Sequence, residues 1–457
     1  MPTPARLPRL AVAYAAALLA LPLALPLQAD DGDLDPTFDG GAFTLAWASA
    51  HAWATVLEPL ADGELLVGGS VNGTGEDGWA VAKLEADGSP EIVWSFVFQV
   101  VHAGDETMAT TDDLLDMRRD GSDRTYLAGE AEAGIDFEVP MLARLGPNGG
   151  LDDTFDDNGL LVIREVPSGW GEVETRAAFL LDDGRSVFAG YCDQCPNDGE
   201  RWVWVARRLA DGGPDLSFSG DGWQTFRWAN EAHSTPLSVA VDESGRIVVL
   251  GLNSGDAYLA RLTPAGNFDG SFGGGDGIAG PFAIPEPRAL TLDASTGRIA
   301  VGCGLGIWPE GGRVAVFTSA GVLDTSFSGD GQIDLDFEDG TSIFDLTFQS
   351  DGKLLAVGSI NDIGANEGGF FLVRLTRGGV LDSTFDDNGL KYIEFDAAPN
   401  ARDAANAVAT MGGRLVAVGY AGGGSGQEGE MAVVRTSNAQ IFSDGFERGS
   451  AGGWPGF

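Results

Sequence analysis

Seven times along the chain, two short runs of alternating apolar and polar residues flank a tight turn and end in glycine: LADGELLVGG, RRDGSDRTYLAGE, LLDDGRSVFAGY, VDESGRIVVLGL, LDASTGRIAVGCG, QSDGKLLAVGS and ATMGGRLVAVGY. The closing glycines, Gly68, Gly129, Gly190, Gly251, Gly302, Gly358 and Gly419, stand 61, 61, 61, 51, 56 and 61 residues apart. Alternation with period two on both sides of a Gly turn predicts a β-hairpin. Its recurrence at a near-constant step predicts a repeat architecture.

Between hairpins the pattern supplies two more strands. A third run ends at a basic residue plus an apolar one in WAVAKL, PMLARL, VWVARRL, AYLARL and FFLVRL. After a Gly turn, LDDTFDDNG, PDLSFSGDG, FDGSFGGGDG, LDTSFSGDG or LDSTFDDNG opens a fourth run. No helical period intervenes, and four short strands per step describe a propeller blade. The segment LDPTFDGGAFTLAW near the start is a fourth strand with none before it, while the seventh unit stops after MAVVRTSNAQ with no fourth strand of its own. If one completes the other, no strand edge stays open. The expected fold is therefore all-β: a seven-bladed β-propeller of four-stranded blades, closed by the N-terminal strand completing the last blade. An open solenoid is the rival and would need capping units. Unit 1 departs from the pattern, with SPEIVWSFVFQVV in place of the fourth-strand motif, and unit 5 has Val316 and Phe317 where others have Arg-Leu.

The LDxTF segments, the Arg-Leu positions and the period, over residues 33–437, resemble the delta-60 repeat family of bacterial exported proteins. That resemblance implies a propeller-like fold and brings no activity or catalytic residue with it. The ending IFSDGFERGSAGGWPGF is similar to short aromatic and acidic tails of some bacterial secreted proteins.

Targeting divides the chain further. Arg6 and Arg9 precede an apolar run from Leu10 to Leu27, and Ala29 offers a small residue before Asp30 and Asp31. This reads as a secretory signal peptide over 1–29, followed by the propeller over 30–437 and a tail over 438–457; an uncleaved anchor is the alternative, disfavoured by Pro22 and Pro26. The expected location is secreted, periplasmic or cell-surface, with no membrane span after signal removal.

The chain carries 68 acidic against 27 basic side chains, a net charge of −41. Nucleic-acid binding is excluded, because it needs cations that displace counterions. The charge suits solubility, divalent cations and basic partners. Of three cysteines, Cys192 and Cys195 are expected to close a small disulfide loop in an exported protein, and Cys303 to be a buried apolar residue. A redox or zinc role lacks a following helix and a second ligand pair.

Candidate chemistry is sparse. Arg144, Arg208, Arg261 and Arg374 precede Asp152, Asp215, Asp269 and Asp382 by seven or eight residues, and such recurring charge pairs are expected to bridge within their own units. Phe38, Phe155, Phe218, Phe272, Phe327 and Phe385 are expected to anchor packing between blades. The acidic turns offer calcium candidates in Asp156, Asp157, Asn158, Asp386, Asp387 and Asn388, though Asp, Asn and Gly are equally what a tight turn requires. No HExxH, GxSxG or phosphate-cradling loop occurs, so no catalytic residue is named and no cofactor is evident beyond possible calcium. The expected function is a non-enzymatic binding or scaffold propeller, a monomer engaging an unidentified protein, glycan or cell-surface component. The alternative is a secreted hydrolase with carboxylates at the channel mouth, for which converging acids, Tyr, His102 or His233 would be the sign.

Overall fold

The computed structural model describes residues 32–437, except 46–49, 74–75, 97–112, 133–137, 157, 165–166, 168–169, 171–172, 194–199, 229–232, 305–310, 338–339, 363–366, 387, 396–401 and 423–428. The proposed signal peptide and tail, and Cys195, Asp157, Asp387 and His102, lie outside the described residues.

Among the described residues, 28 strands form five four-stranded antiparallel sheets and one eight-stranded sheet. Unit 1 is Ala50–Pro59, Leu65–Gly73, Glu76–Leu84 and Pro90–Phe96; unit 2 is Leu114–Arg119, Thr125–Glu132, Glu138–Leu145 and Leu160–Val162. Unit 3 is Val173–Leu180, Ser186–Asp193, Arg201–Arg208 and Trp223–Phe226; unit 4 is Ser234–Val241, Ile247–Asn253, Asp256–Leu262 and Ile278–Phe282. Unit 5 is Pro287–Leu292, Ile299–Cys303, Gly312–Phe317 and Gln332–Leu335; unit 6 is Thr341–Phe348, Leu354–Asp362, Glu367–Leu375 and Leu390–Ile393. Asp403–Met411, Arg414–Ala421 and Glu430–Arg435 make three strands of unit 7, and the fourth is Ala42–Leu45 from the other end of the chain, antiparallel to Glu430–Arg435 with Ala42 opposite Val434. Units 2 and 3 share the eight-stranded sheet through one parallel pair, Glu174 with Glu138.

The first strands pack against one another in series, and that of unit 7 packs on that of unit 1. Second and third strands lie between neighbouring units, so both their faces are covered: Ser186–Tyr191 is buried at every position. This explains why strings such as VVLGL read as continuous apolar runs, since alternation needs one wet face. The result is an all-β, propeller-like fold.

The LDxTF segment is a small machine for joining units. In unit 6, Asp382 Oδ1 accepts the N–H and hydroxyl of Thr384, Oδ2 accepts Arg374 Nε at 2.8 Å, and Arg374 lies 5.0 Å over the Phe385 ring. The same arrangement joins Arg144 to Asp152 at 2.7 Å and Arg261 to Asp269 at 2.8 Å. Asp215 is paired by Arg207 at 2.8 Å and not by Arg208. The reason is strand alternation: an arginine eight residues before the aspartate shares its side of the sheet, and Arg208, one position on, turns to the other face over Trp223. Where unit 5 lacks the arginine, Arg298 from the hairpin turn reaches Asp324 at 2.8 Å. Unit 1 substitutes Lys83 with Glu91, at 2.5 Å, and Glu64.

The module also reaches outward. Arg207 Nη1 donates to Pro264 O of unit 4 at 2.6 Å, and Arg261 to Ser319 O of unit 5. All six motif phenylalanines are at most 2% exposed. Phe218 and Phe327 sit against Gly266 and Gly379 in the next unit's turn, where a Cβ would come within 3.2 Å of the ring carbons and φ is +83° and +78°. The residue after each of these phenylalanines, Ser219 or Ser328, takes a positive φ and donates its N–H across to Ala265 or Gly378. Asp, Ser and Gly in these turns are thus selected by backbone geometry.

A pH prediction follows for Asp382. Burial works to raise its carboxyl, but bonds from Thr384 and Lys353 and the Arg374 charge outweigh it and hold it at about 2. A depressed carboxyl contributes stability that is complete above its unfolded value of 3.8 and is lost as pH falls through about 2. Melting the protein and Asp382→Asn side by side is expected to show a gap at pH above about 4 that narrows steadily toward pH 2. A gap independent of pH would remove the ion pair as its cause.

Candidate functional site

Each first strand carries one irregularity in its pairing with the second. The shift falls at Thr55, Leu115, Arg176, Leu237, Arg288, Phe344 and Asn406, each skipped between two paired neighbours. Such β-bulges leave one residue outside the ladder and re-aim its side chain. Opposite each bulge the second strand presents Gly69, Gly129, Gly190, Gly251, Cys303, Gly358 or Gly419. In units 1 and 5 the residue in register is therefore one position after Gly68 and Gly302. The need for glycine is steric at most of these sites: a Cβ on Gly358 would lie 1.8 Å from Ser342 O, and one on Gly190 1.9 Å from Glu174 O. Cys303 takes the place in unit 5, buried and free, with burial pushing its thiol up to about 11.

Five of the seven bulge residues, Thr55, Leu237, Arg288, Phe344 and Asn406, line one cavity of about 730 Å³ among the first strands, joined by Trp53, Arg402 and Tyr420. Arg288 stands 5.4 Å over the Phe344 ring and 3.6 Å from Glu286. Asn406 Nδ2 donates to Ala54 O, tying unit 7 to unit 1 at the cavity wall. These residues escaped the sequence reading because they recur in position and not in kind. The available signal was spacing: each lies thirteen to fifteen residues before the glycine or cysteine opposite its bulge.

Arg176, the bulge residue of unit 3, gathers acids. It contacts Glu174, lies 3.9 Å from Glu138, and points Nη2 at the Tyr191 hydroxyl at 3.5 Å. Glu130 is 6% exposed, and burial with the Glu138 and Asp113 charges pushes its carboxyl up to about 9. It therefore holds a proton at neutral pH, as a general acid must. His233 is exposed beside Arg201, which packs 3.8 Å over the Tyr191 ring. His51 accepts Gly429 N–H through Nδ1 at 3.0 Å. Two further carboxylates on the first strands, Asp116 and Asp345, clamp adjacent units by accepting Leu180 N–H and Val408 N–H. Burial raises them to about 6 and about 7.

The calcium candidates among the described residues belong to their turns. Asn158 and Asn388 accept Leu160 and Leu390 N–H, and Asp386 bonds Lys391 at 2.8 Å, while Asp156 has a positive φ. The described residues do bring Glu64, Glu85 and Glu91 within 4.8 Å of one another in unit 1, where Lys83 already bridges Glu64 and Glu91. Cys192 is buried and disulfide-bonded. No helix among the described residues is long and apolar enough to cross a membrane.

Residues 60–91, 243–272 and 349–385 match a family model described as a domain of unknown function (DUF5122) beta-propeller, under a quarter of the chain. The match supports a β-propeller repeat family. No curated protein matches the chain. Similar solved structures include a catalytically inactive virginiamycin B lyase from Staphylococcus aureus, 10% identical, covering 86% of this chain and 98% of its own with a TM-score of 0.48. The polysaccharide lyase Uly1 is 12% identical, covering 90% and 98% with a TM-score of 0.47. Sqt1 from Chaetomium thermophilum is 14% identical, covering 89% and 99% with a TM-score of 0.44.

Proposed function

We propose that the chain is an exported, seven-bladed propeller, closed by its N-terminal strand, that binds its ligand in the central cavity through the bulge side chains. Closure is supported by the pairing of Ala42–Leu45 with the third strand of unit 7 and by Arg435, which bonds Asp35 at 2.9 Å and Ala86 O of unit 1 at 2.9 Å. Export is supported by the apolar run behind Arg6 and Arg9. The observation that carries the binding reading is the bulge itself. One register position recurs in every unit as Thr, Leu, Arg, Leu, Arg, Phe and Asn, and five of the seven line the same cavity, so the frame is uniform and the lining is not. A residue outside the hydrogen-bond ladder is free to serve a ligand. The size suits a small ligand or the tip of a larger one.

The test compares capture on a glycan array and in pull-downs by the protein and by Leu237→Arg, which fills the cavity from its wall. Ligands retained by the protein and lost by the variant, with unchanged melting, support the reading; identical profiles overturn it.

A second reading, a hydrolase, is favoured by one observation: Glu130, buried and pushed up to about 9, lies among the carboxyl groups of Asp113, Glu138 and Glu174 in units 2 and 3. Two carboxyl groups held in opposite protonation states are the requirement for glycoside cleavage. Hydrolysis of a captured glycan that stops in Glu130→Gln would establish it.

A further inference from the structure

The central cavity brings cations and aromatic rings together in this acidic chain. Against a net charge of −41, two guanidinium groups, Arg288 and Arg402, face it. Glu286 lies 3.6 Å from Arg288 at the rim, both side chains about half exposed. The lining carboxylate of Asp403 has its two oxygens on backbone N–H groups, Gly422 at 3.1 Å and Phe395 at 2.9 Å, and is 1% exposed. Phe344 backs the Arg288 guanidinium and so orients it. Around these, Trp53 and Tyr420 offer half-buried ring surface, and Ser342 lines the wall beside Thr55 and Asn406, whose donors bond Leu114 O and Ala54 O and leave their oxygens to accept.

We propose that the central cavity binds an acidic oligosaccharide, with a uronic acid carboxylate on Arg288 and Arg402 and sugar rings against Trp53 and Tyr420. The claim rests on the binding reading above and adds the ligand class. Guanidinium is the side chain best matched to a carboxylate, whose two oxygens it can meet with two parallel N–H bonds. A chain this acidic repels an anion over most of its surface, so the cavity arginines would favour binding there. A pyranose presents apolar C–H faces and equatorial hydroxyls on one ring, and the wall alternates aromatic and hydroxyl groups to suit both. A fatty acid would meet too many polar groups there, since buried polar atoms left without partners oppose binding.

The experiment titrates the full chain calorimetrically with tetragalacturonate, with its methyl ester, which keeps the ring and removes the charge, and with inorganic phosphate. Tetragalacturonate is expected to bind, the ester at least about tenfold more weakly, and phosphate more weakly still. Arg288→Gln and Arg402→Gln should each reduce tetragalacturonate affinity about tenfold and reduce its salt dependence, while Trp53→Ala weakens acid and ester alike. Melting curves verify that each variant is folded. Equal binding of acid and ester, indifference to both arginine variants, or preference for phosphate overturns the acidic-sugar class. Absence of binding to acid and ester overturns it too. The binding reading stands or falls separately, on whether array or pull-down capture depends on Leu237.

Discussion

Alanine in place of Arg435 is expected to cost about 3 kcal/mol of stability and to release the N-terminal strand. Its side chain is 1% exposed, stacks 4.0 Å from the Phe38 ring centre, and pairs with Asp35, which is 4% exposed and 400 residues away in sequence. Removing one partner of a buried ion pair strands the other, and here it also removes a bond to Ala86 O in unit 1. Arg414, 3.3 Å from Asp35, remains to soften the loss. The checking measurement is hydrogen exchange. In Arg435→Ala the amides of Ala42–Leu45 should lose protection before those of other strands, whereas in Arg374→Ala, where the equivalent pair lies inside one unit, they should not. Loss of protection spread evenly over the chain would show that the contact is not what holds the ends together.

The second large effect concerns Gly358. An alanine Cβ there would sit 1.8 Å from Ser342 O and within 3.0 Å of the Phe371 ring. Backbone cannot yield as a flexible side-chain tip can, so the first and second strands of unit 6 must separate or the bulge at Phe344 must collapse. Overpacking of this kind costs about 3 kcal/mol or more. The matched control is Gly340→Ala, where a Cβ meets nothing within 4 Å and stability should hold to within about 0.5 kcal/mol. If both variants melt alike, steric demand is not why glycine stands opposite the bulge. Because the strain falls at Phe344, Gly358→Ala should also weaken whatever the cavity binds.

The hairpins, the third strands and the fourth-strand motif were legible because each depends on local chemistry: alternation, a Gly turn, an Asp followed by Ser or Thr. Arg144, Arg261 and Arg374 were legible as partners for the same reason, since a fixed spacing across one turn brings them to Asp152, Asp269 and Asp382. Arg208 shows the limit. Two adjacent arginines are equal in a string but face opposite sides of a strand, and only Arg207 reaches Asp215. Arg298 in unit 5 was hidden because it comes from the hairpin turn before the second strand and not from the third strand that supplies the arginine elsewhere. The cavity lining was harder still. A bulge moves one residue out of a ladder through pairing with another strand, and nothing in Phe344 or Arg288 as a residue type announces it. Glu130 likewise looked like one acid among 68, and only its burial beside other carboxylates sets it apart.

The pairing of Ala42–Leu45 with Glu430–Arg435 also sets an order of events during synthesis. The strand that leaves the ribosome first is the one that must wait longest, because its partner is made almost four hundred residues later. Until then its hydrogen-bonding edge, and that of the incomplete last unit, stay open to other chains. A chain crossing a membrane unfolded and folding only afterwards would have both ends present at once, and would pass through that exposed interval quickly.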